Sequence, residues 1–180
     1  MAIEVVPYDA LWPSEFSDIH AELSDALRLV PICAIEHVGS TAVPGLAAKP
    51  QIDIDVIVRR EDLHDAIAAL AAVGYEHLGD LGIADRHAMR APDGASRRNV
   101  YVVVDGSVAL RNHLAVRDAL RADPMLRDAY GMLKRSLAKD VEGIGAYVEG
   151  KTDLLLGILA NAGFTEAELE AIRIANRQAG

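Results

Sequence analysis

Between Gln51 and Val58 the sequence QIDIDVIV alternates strictly. Ile52, Ile54, Val56 and Val58 fall on one face of an extended strand and Asp53 and Asp55 on the other, because successive side chains point to opposite sides. Upstream, Phe16, Ile19, Leu23, Ala26, Leu27 and Val30 recur at helical spacing, so Pro13 to Val30 reads as an amphipathic helix with Pro13 in its first turn. Ile32 to Val38 reads as a short strand, broken by Gly39-Ser40, which would open a helical turn through Leu46. Glu61 to Val73 is predicted as a helix stopped by Gly74, and Tyr75 to Leu78 as a strand. Arg86 to Ala91 and Arg98 to Val104 flank the turn-rich PDGAS and read as a hairpin.

Beyond Gly106 the period becomes helical over Ser107 to Arg121, Pro124 to Lys139, Tyr147 to Asn161 and Thr165 to Gln178. The last begins with a Thr165/Glu168 capping box. This order predicts an α+β fold, a mixed sheet flanked by helices with a helical C-terminal layer.

At 180 residues the chain can bury a sizeable core as one domain. Eighteen basic against 27 acidic residues give a net charge of −9, which argues against extended binding to nucleic acid or an anionic membrane but leaves room for a local basic pocket. The single cysteine, Cys33 in ICAIEHV, rules out a disulfide framework within the chain and is expected to be a buried, inert thiol. The segment MAIEVVPYDALWP lacks a basic stretch followed by an apolar one, and no apolar run approaches the roughly 18 residues of a membrane span; the expectation is a cytoplasmic protein. Oligomeric state is left open.

Two carboxylates two residues apart on a strand repel each other unless something compensates them. A divalent cation does so, and Mg²⁺ is commonly held by one or two carboxylates together with substrate phosphates. Gly39 and Ser40 supply a complementary feature, since a glycine lets backbone approach a phosphate and a serine hydroxyl donates to its oxygens. Taken singly, Gly-Ser also fits a plain turn and the aspartates a solvated sheet face.

Together they form a pattern: Val38-Gly39-Ser40, twelve intervening residues, then Asp53-Ile54-Asp55-Val56. It resembles the signature of the DNA polymerase beta-like nucleotidyltransferase superfamily. The segments VPYDALWPSEF, EHVGSTAVPGLAAKPQIDIDVIV, LRNHLAVRDALRADP, AYGMLKRSLA and YVEGKTDLL resemble, in that order, the blocks of the GrpB family within it. The resemblance runs from about Val5 to Ala162, which divides the chain into a nucleotidyltransferase-like domain over 1–162 and a helical extension over 163–180. It implies a minimal nucleotidyltransferase fold with Gly39 and Ser40 on nucleotide phosphates and Asp53 and Asp55 on Mg²⁺. Some family members are fused to a dephospho-CoA kinase domain, but this chain has no G-x-x-x-x-G-K-[ST] loop from which kinase activity would follow.

The chain departs from the family at one place. GrpB sequences tend to carry His-x-His on the strand after the hairpin turn, where this chain has Asn99 and Tyr101. Asp105 shares their parity and would supply a third catalytic carboxylate if the strand continues that far; a turn aspartate before Gly106 is the alternative. Lys49 precedes the aspartate strand by a short step, Arg86, Arg117, Lys134 and Lys151 fall where the family pattern is basic, and by convergence they would hold a triphosphate or an acidic substrate. For Arg117 the alternative is an ion pair with Asp118, and for Lys134 and Lys151 a solvated helix face. His37 would either touch substrate or orient the Gly-Ser loop.

Two functions follow. One is an enzyme moving a nucleoside monophosphate from a nucleoside triphosphate to a small-molecule acceptor, with Asp53, Asp55 and Asp105 as its acidic groups. The other is a non-catalytic nucleotide-binding or regulatory module with a degenerate active site.

Overall fold

The computed structural model describes residues 4–140 and 144–178. In chain order they form α1 (Trp12–Ala26), β1 (Ile32–Val38), a 3-10 turn (Ser40–Ala42), β2 (Ile52–Val58), α2 (Leu63–Ala72), β3 (Glu76–Gly79), β4 (Arg86–Arg90), β5 (Arg98–Val104), α3 (Val108–Ala122), α4 (Pro124–Asp140), α5 (Ile144–Asn161) and α6 (Glu166–Gln178). The strands make one sheet in the order β1-β2-β5-β4-β3. β2 and β5 run parallel and the other neighbours antiparallel, the mixed α+β arrangement that the sequence pattern predicts.

The alternation in β2 divides the molecule into two layers. Ile52, Ile54, Val56 and Val58 are buried with Val100, Val102 and Val104 of β5 against Leu23 and Leu27 at the end of α1 and Leu63, Ala66 and Leu70 of α2. Each such aliphatic side chain stabilises the fold by about 1.5–3 kcal/mol when fully buried. The other face is not solvated. Ile57 and Val103 pack there beneath Ala109 and Leu110 of α3, and Val43 and Leu46, which follow the 3-10 turn, join Leu120, Tyr130 and Ile158 of α3, α4 and α5. Phe164 anchors α6 to this layer with Leu156 and Leu159. The aspartates of β2 therefore lie between a sheet and a helical layer.

Several local expectations change. The helical segment after Gly39 is a single 3-10 turn, and α1 ends at Ala26, with Val30 N–H bonded to the Leu27 carbonyl in a turn. Cys33 is exposed rather than buried: β1 is an edge strand, and its pairing with β2 shifts register between Ile32 and Ala34. β5 stops at Val104, and Asp105 is an exposed residue whose N–H bonds the Val58 carbonyl, followed by Gly106 at φ +71°. The capping box is formed, with Thr165 N–H donating to Glu168 Oε2 at 2.8 Å and Glu168 N–H to Thr165 Oγ1 at 3.3 Å. Among the described residues no helix is long and apolar enough to cross a membrane.

The N-terminus of α3 is capped by Ser107, whose hydroxyl accepts from Leu110 N–H at 3.3 Å. Ser107→Ala is predicted to lower the unfolding free energy by about 1 kcal/mol, the usual worth of a serine N-cap, measured by urea denaturation. An unchanged midpoint would show that α3 is held by its packing alone.

Candidate functional site

Register places the site. Asp53 lies opposite Asn99, and Asp55 opposite Tyr101, on the parallel pair β2 and β5. Asn99 donates from Nδ2 to Asp53 Oδ1 at 2.7 Å and accepts from Gln51 Nε2 at 2.7 Å, so an amide chain fixes one oxygen of Asp53. Asp53 Oδ2 lies beside Gly39. A Cβ at Gly39 would overlap it, and φ there is +69°, so two independent constraints favour glycine at this position.

Asp55 shares the face of Asp53 but not its surroundings. Its side chain is 0% exposed, Oδ2 accepts from His113 Nδ1 at 2.8 Å, and Oδ1 is buried without a described partner. The alternative of a solvated sheet face does not hold for Asp55: Asp53 lines the cavity, while α3 covers Asp55 through His113 and leaves its Oδ1 uncommitted on the same face as Asp53.

Ser40 and Asp53 line both a polar pocket of about 120 Å³, with Lys49, Asn99, Lys134, Tyr147 and Lys151, and an adjoining cavity of about 280 Å³, with Arg86, Asn112, His113 and Tyr130. Lys134 is 2% exposed and donates from Nζ to Ser40 Oγ at 2.8 Å, its ammonium 4.7 Å from the Tyr130 ring centroid. Lys151 lies 4.3 Å from the Tyr147 ring centroid. Burial, and next the charge of Lys151, push Lys134 down to about 7; burial pushes Lys151 down to about 8, and Asp53 opposes both shifts. Burial also raises Asp53, against the Asn99 hydrogen bond and the charges of His113 and Lys151. No described carboxylate forms an ion pair with Lys49, Arg86, Lys134 or Lys151. Such a set of cations in a concave site suits a polyanion.

Of the remaining candidates, Arg117, His37 and Asp105 lie elsewhere. Arg117 bonds Glu36 at 2.6 Å and Asp118 at 2.8 Å, and it lines a separate hollow with Tyr8, Phe16, His37 and Arg121. His37 orients the loop. His37 Nε2 and Thr41 Oγ1 share a 2.9 Å hydrogen bond, and the Thr41 hydroxyl lies 3.3 Å from the Gln51 carbonyl, to which it donates when the imidazole is the donor to Thr41. Burial, with Arg121 and Arg117, lowers this imidazole to about 4, consistent with a neutral ring stacked on Phe16. Asp105 is four residues beyond Tyr101, the partner of Asp55, which on a strand is about 13 Å, and it lines neither cavity. Arg86 reaches the larger cavity and packs 4.6 Å from the centroid of the Tyr101 ring.

Two carboxylates on one face, one with an orphaned buried oxygen, suit a hard cation shared with phosphate oxygens. They do not suit an all-protein cage, because no group of three His, Cys, Asp or Glu able to hold a metal gathers among the described residues. Sequence reasoning missed His113, which is 58 positions from Asp55 and carries no spacing signal. It also missed Asn99 as the partner of Asp53.

The chain belongs to the GrpB family, whose model, described as GrpB protein, matches residues 2–161. It is 33% identical over 165 residues to the UPF0157 protein YqkA of Bacillus subtilis, covering 89% of this chain and 47% of that protein, so it spans about half the length of this relative. The crystal structure of GrpB from Enterococcus faecalis superposes with a TM-score of 0.76 at 30% identity, covering 89% of this chain and 100% of that one. A more distant likeness is to the Cid1 poly(U) polymerase, with a TM-score of 0.52 at 18% identity, covering 74% of this chain and 44% of that one. It shows that the fold is that of the nucleotidyltransferases.

The lowered Lys134 has a measurable consequence. Between about pH 7 and its ordinary value of 10.5 the unfolded chain holds a proton that folded Lys134 does not, so its contribution to stability rises with pH across that window. The stability of the wild type is predicted to rise relative to Lys134→Met from about pH 7 to about pH 10 in calorimetric melts. A flat difference would mean that Lys134 is not desolvated.

Proposed function

We propose that this GrpB-family chain binds a nucleoside triphosphate in the pocket above Gly39 and Ser40, and transfers its nucleoside monophosphate to a small-molecule hydroxyl or amine. One observation carries the reading: a buried ammonium, Lys134, rests on the Ser40 hydroxyl beside Lys49 and Lys151, with Asp53 the one carboxylate lining the pocket and no ion pair to Lys134 among the described residues. A triphosphate supplies that charge. Lys134 and Ser40 would turn from each other to its oxygens, Lys49 and Lys151 would flank it, and Arg86 would reach it from β4, while Arg117 stays paired to Glu36 as a positioning residue.

The Cid1 structure was solved with MgGTP bound. In this chain Asp53 and Asp55 would hold Mg²⁺, which, when bound, neutralises phosphate charge and orients the phosphates for in-line attack. His113 fixes Asp55 so that its orphaned oxygen keeps one direction. In the transfer the acceptor oxygen or nitrogen bonds the α-phosphorus, the bond to the β-phosphate oxygen breaks, pyrophosphate leaves, and the acceptor proton passes to solvent.

A second reading is favoured by the exposed position of Asp105 and by Asn99 and Tyr101 beside the aspartates. With no third carboxylate joining Asp53 and Asp55 in a metal-holding group among the described residues, the chain would bind a nucleotide without turnover, as a regulatory module. Pyrophosphate release in the presence of a metabolite pool distinguishes the two.

Calorimetric titration with a non-hydrolysable nucleoside triphosphate and Mg²⁺ tests what both readings share. A hydrogen bond to a charged group is worth about 1.5–3 kcal/mol, so Ser40→Ala and Lys134→Met are each predicted to weaken binding about tenfold or more. Asp53→Asn is predicted to remove its dependence on Mg²⁺. Absence of binding, or metal-independent binding unaffected by these changes, would overturn both readings.

A further inference from the structure

The cavity that begins at Ser40 and Asp53 does not end at the phosphate pocket. It runs between the sheet, α3 and α5 to α6, where Ile83, Ala109, Asn112, Ile172 and Asn176 also line a second hollow of about 430 Å³. This hollow has the size of a small-molecule site. Its remaining walls come from the β3–β4 loop at Gly82 and Ala84, from Val108, and from Ala167, Ala171 and Ala175 on one side of α6. The chemistry at the two ends differs. Cations and Asp53 crowd one end, whereas the α6 end offers aliphatic surface and no aromatic ring. Its one carboxylate, Glu168, already accepts from Thr165 and Arg111.

We propose that the α3–α6 hollow binds the apolar body of the acceptor, a small aliphatic alcohol or amine, with its reactive group at Asn112 and Asn176 on the side toward Asp53. This rests on the nucleotide reading above. Asn176 donates from Nδ2 to Thr152 Oγ1 at 3.1 Å, which leaves its carbonyl oxygen to accept from an acceptor hydroxyl or amine. A nucleobase is the poorer occupant, because the walls give it neither an aromatic face to stack on nor a set of paired donors and acceptors. A second anion is poorer still without a free cation. Because α6 lies beyond the residues matched by the family model, acceptor selection in this chain would depend on an element outside that match.

The test uses the whole 180-residue chain and n-hexanol as probe, with binding read by saturation-transfer NMR and the affinity of a non-hydrolysable nucleoside triphosphate with Mg²⁺ measured in parallel. Ala171 is exposed on α6, so Ala171→Trp fills the hollow without touching the core; Ala167→Phe is a second filling variant, and thermal melts confirm that each is folded. Saturable hexanol binding that weakens about tenfold or more in the filled variants, with nucleotide affinity held within about twofold, is the expected result. No saturable binding to the wild type, or equal binding in the filled variants, overturns the proposal. So does competition between hexanol and adenosine accompanied by a loss of nucleotide affinity in Ala171→Trp, since the hollow would then hold the nucleoside. Hexanol binding without any nucleotide binding would leave an apolar site and remove the transferase reading on which its role depends.

Discussion

A carboxylate placed on a strand between a sheet and a helical layer must find a partner or lose its charge, and β2 carries two of them. Isolated burial of an ionised carboxylate costs several kcal/mol even after relaxation. The four aliphatic residues on the opposite face of β2 fix the register that places both aspartates there, so the cost cannot be avoided by slippage: a shift of one residue would put the isoleucines at the site and the aspartates in the core. The surrounding structure answers this constraint in two ways. Asn99 holds Asp53, and His113 holds Asp55, which commits β5 and α3 to their positions over β2.

The lysines complete the balance. Lys134 and Lys151 come from α4 and α5, helices that pack on the aspartate face, and both are buried enough for their charge to be disfavoured. A protein under selection for stability alone would not bury an ammonium on a serine hydroxyl beside a second ammonium. Strain of this kind is the ordinary mark of a site arranged for a ligand that is absent when the fold is judged by itself. The polyanion reading explains why Ser40, Lys134, Lys151 and Asp53 occur together, whereas a purely structural role explains Arg117, whose cation is neutralised twice over by Glu36 and Asp118.

What could be read from the sequence was what local periodicity and chain punctuation determine. The alternation of β2, the break at Gly39, the hairpin around PDGAS and the capping box of α6 all rest on residues within a few positions of each other. The contents of the site rest on contacts between distant segments. Nothing near His113 marks it as the partner of a residue on β2, and Lys134 reads as a solvated helix residue until α4 is docked on the Gly39–Ser40 loop. Cys33 shows the converse: an apolar neighbourhood in sequence gave a buried position, and a register shift on an edge strand exposed it.

The amide and the phenol at Asn99 and Tyr101, where the family resemblance implies histidines, acquire a physical meaning from this geometry. Asn99 uses its amide to hold Asp53 Oδ1, leaving Oδ2 beside Gly39, while His113 takes Asp55 Oδ2 and leaves Oδ1 orphaned. Each carboxylate thus keeps one oxygen uncommitted to a described hydrogen bond. A neutral amide adds no charge to the site, so the charge of the pair is met by the lysines and, in the proposed function, by a cation that enters with the phosphates. An imidazole at position 99 would bring its own proton equilibrium to the same spot and compete for Asp53. Asn99 therefore exchanges a titratable neighbour for a fixed donor, which favours holding a charged ligand over moving protons around it.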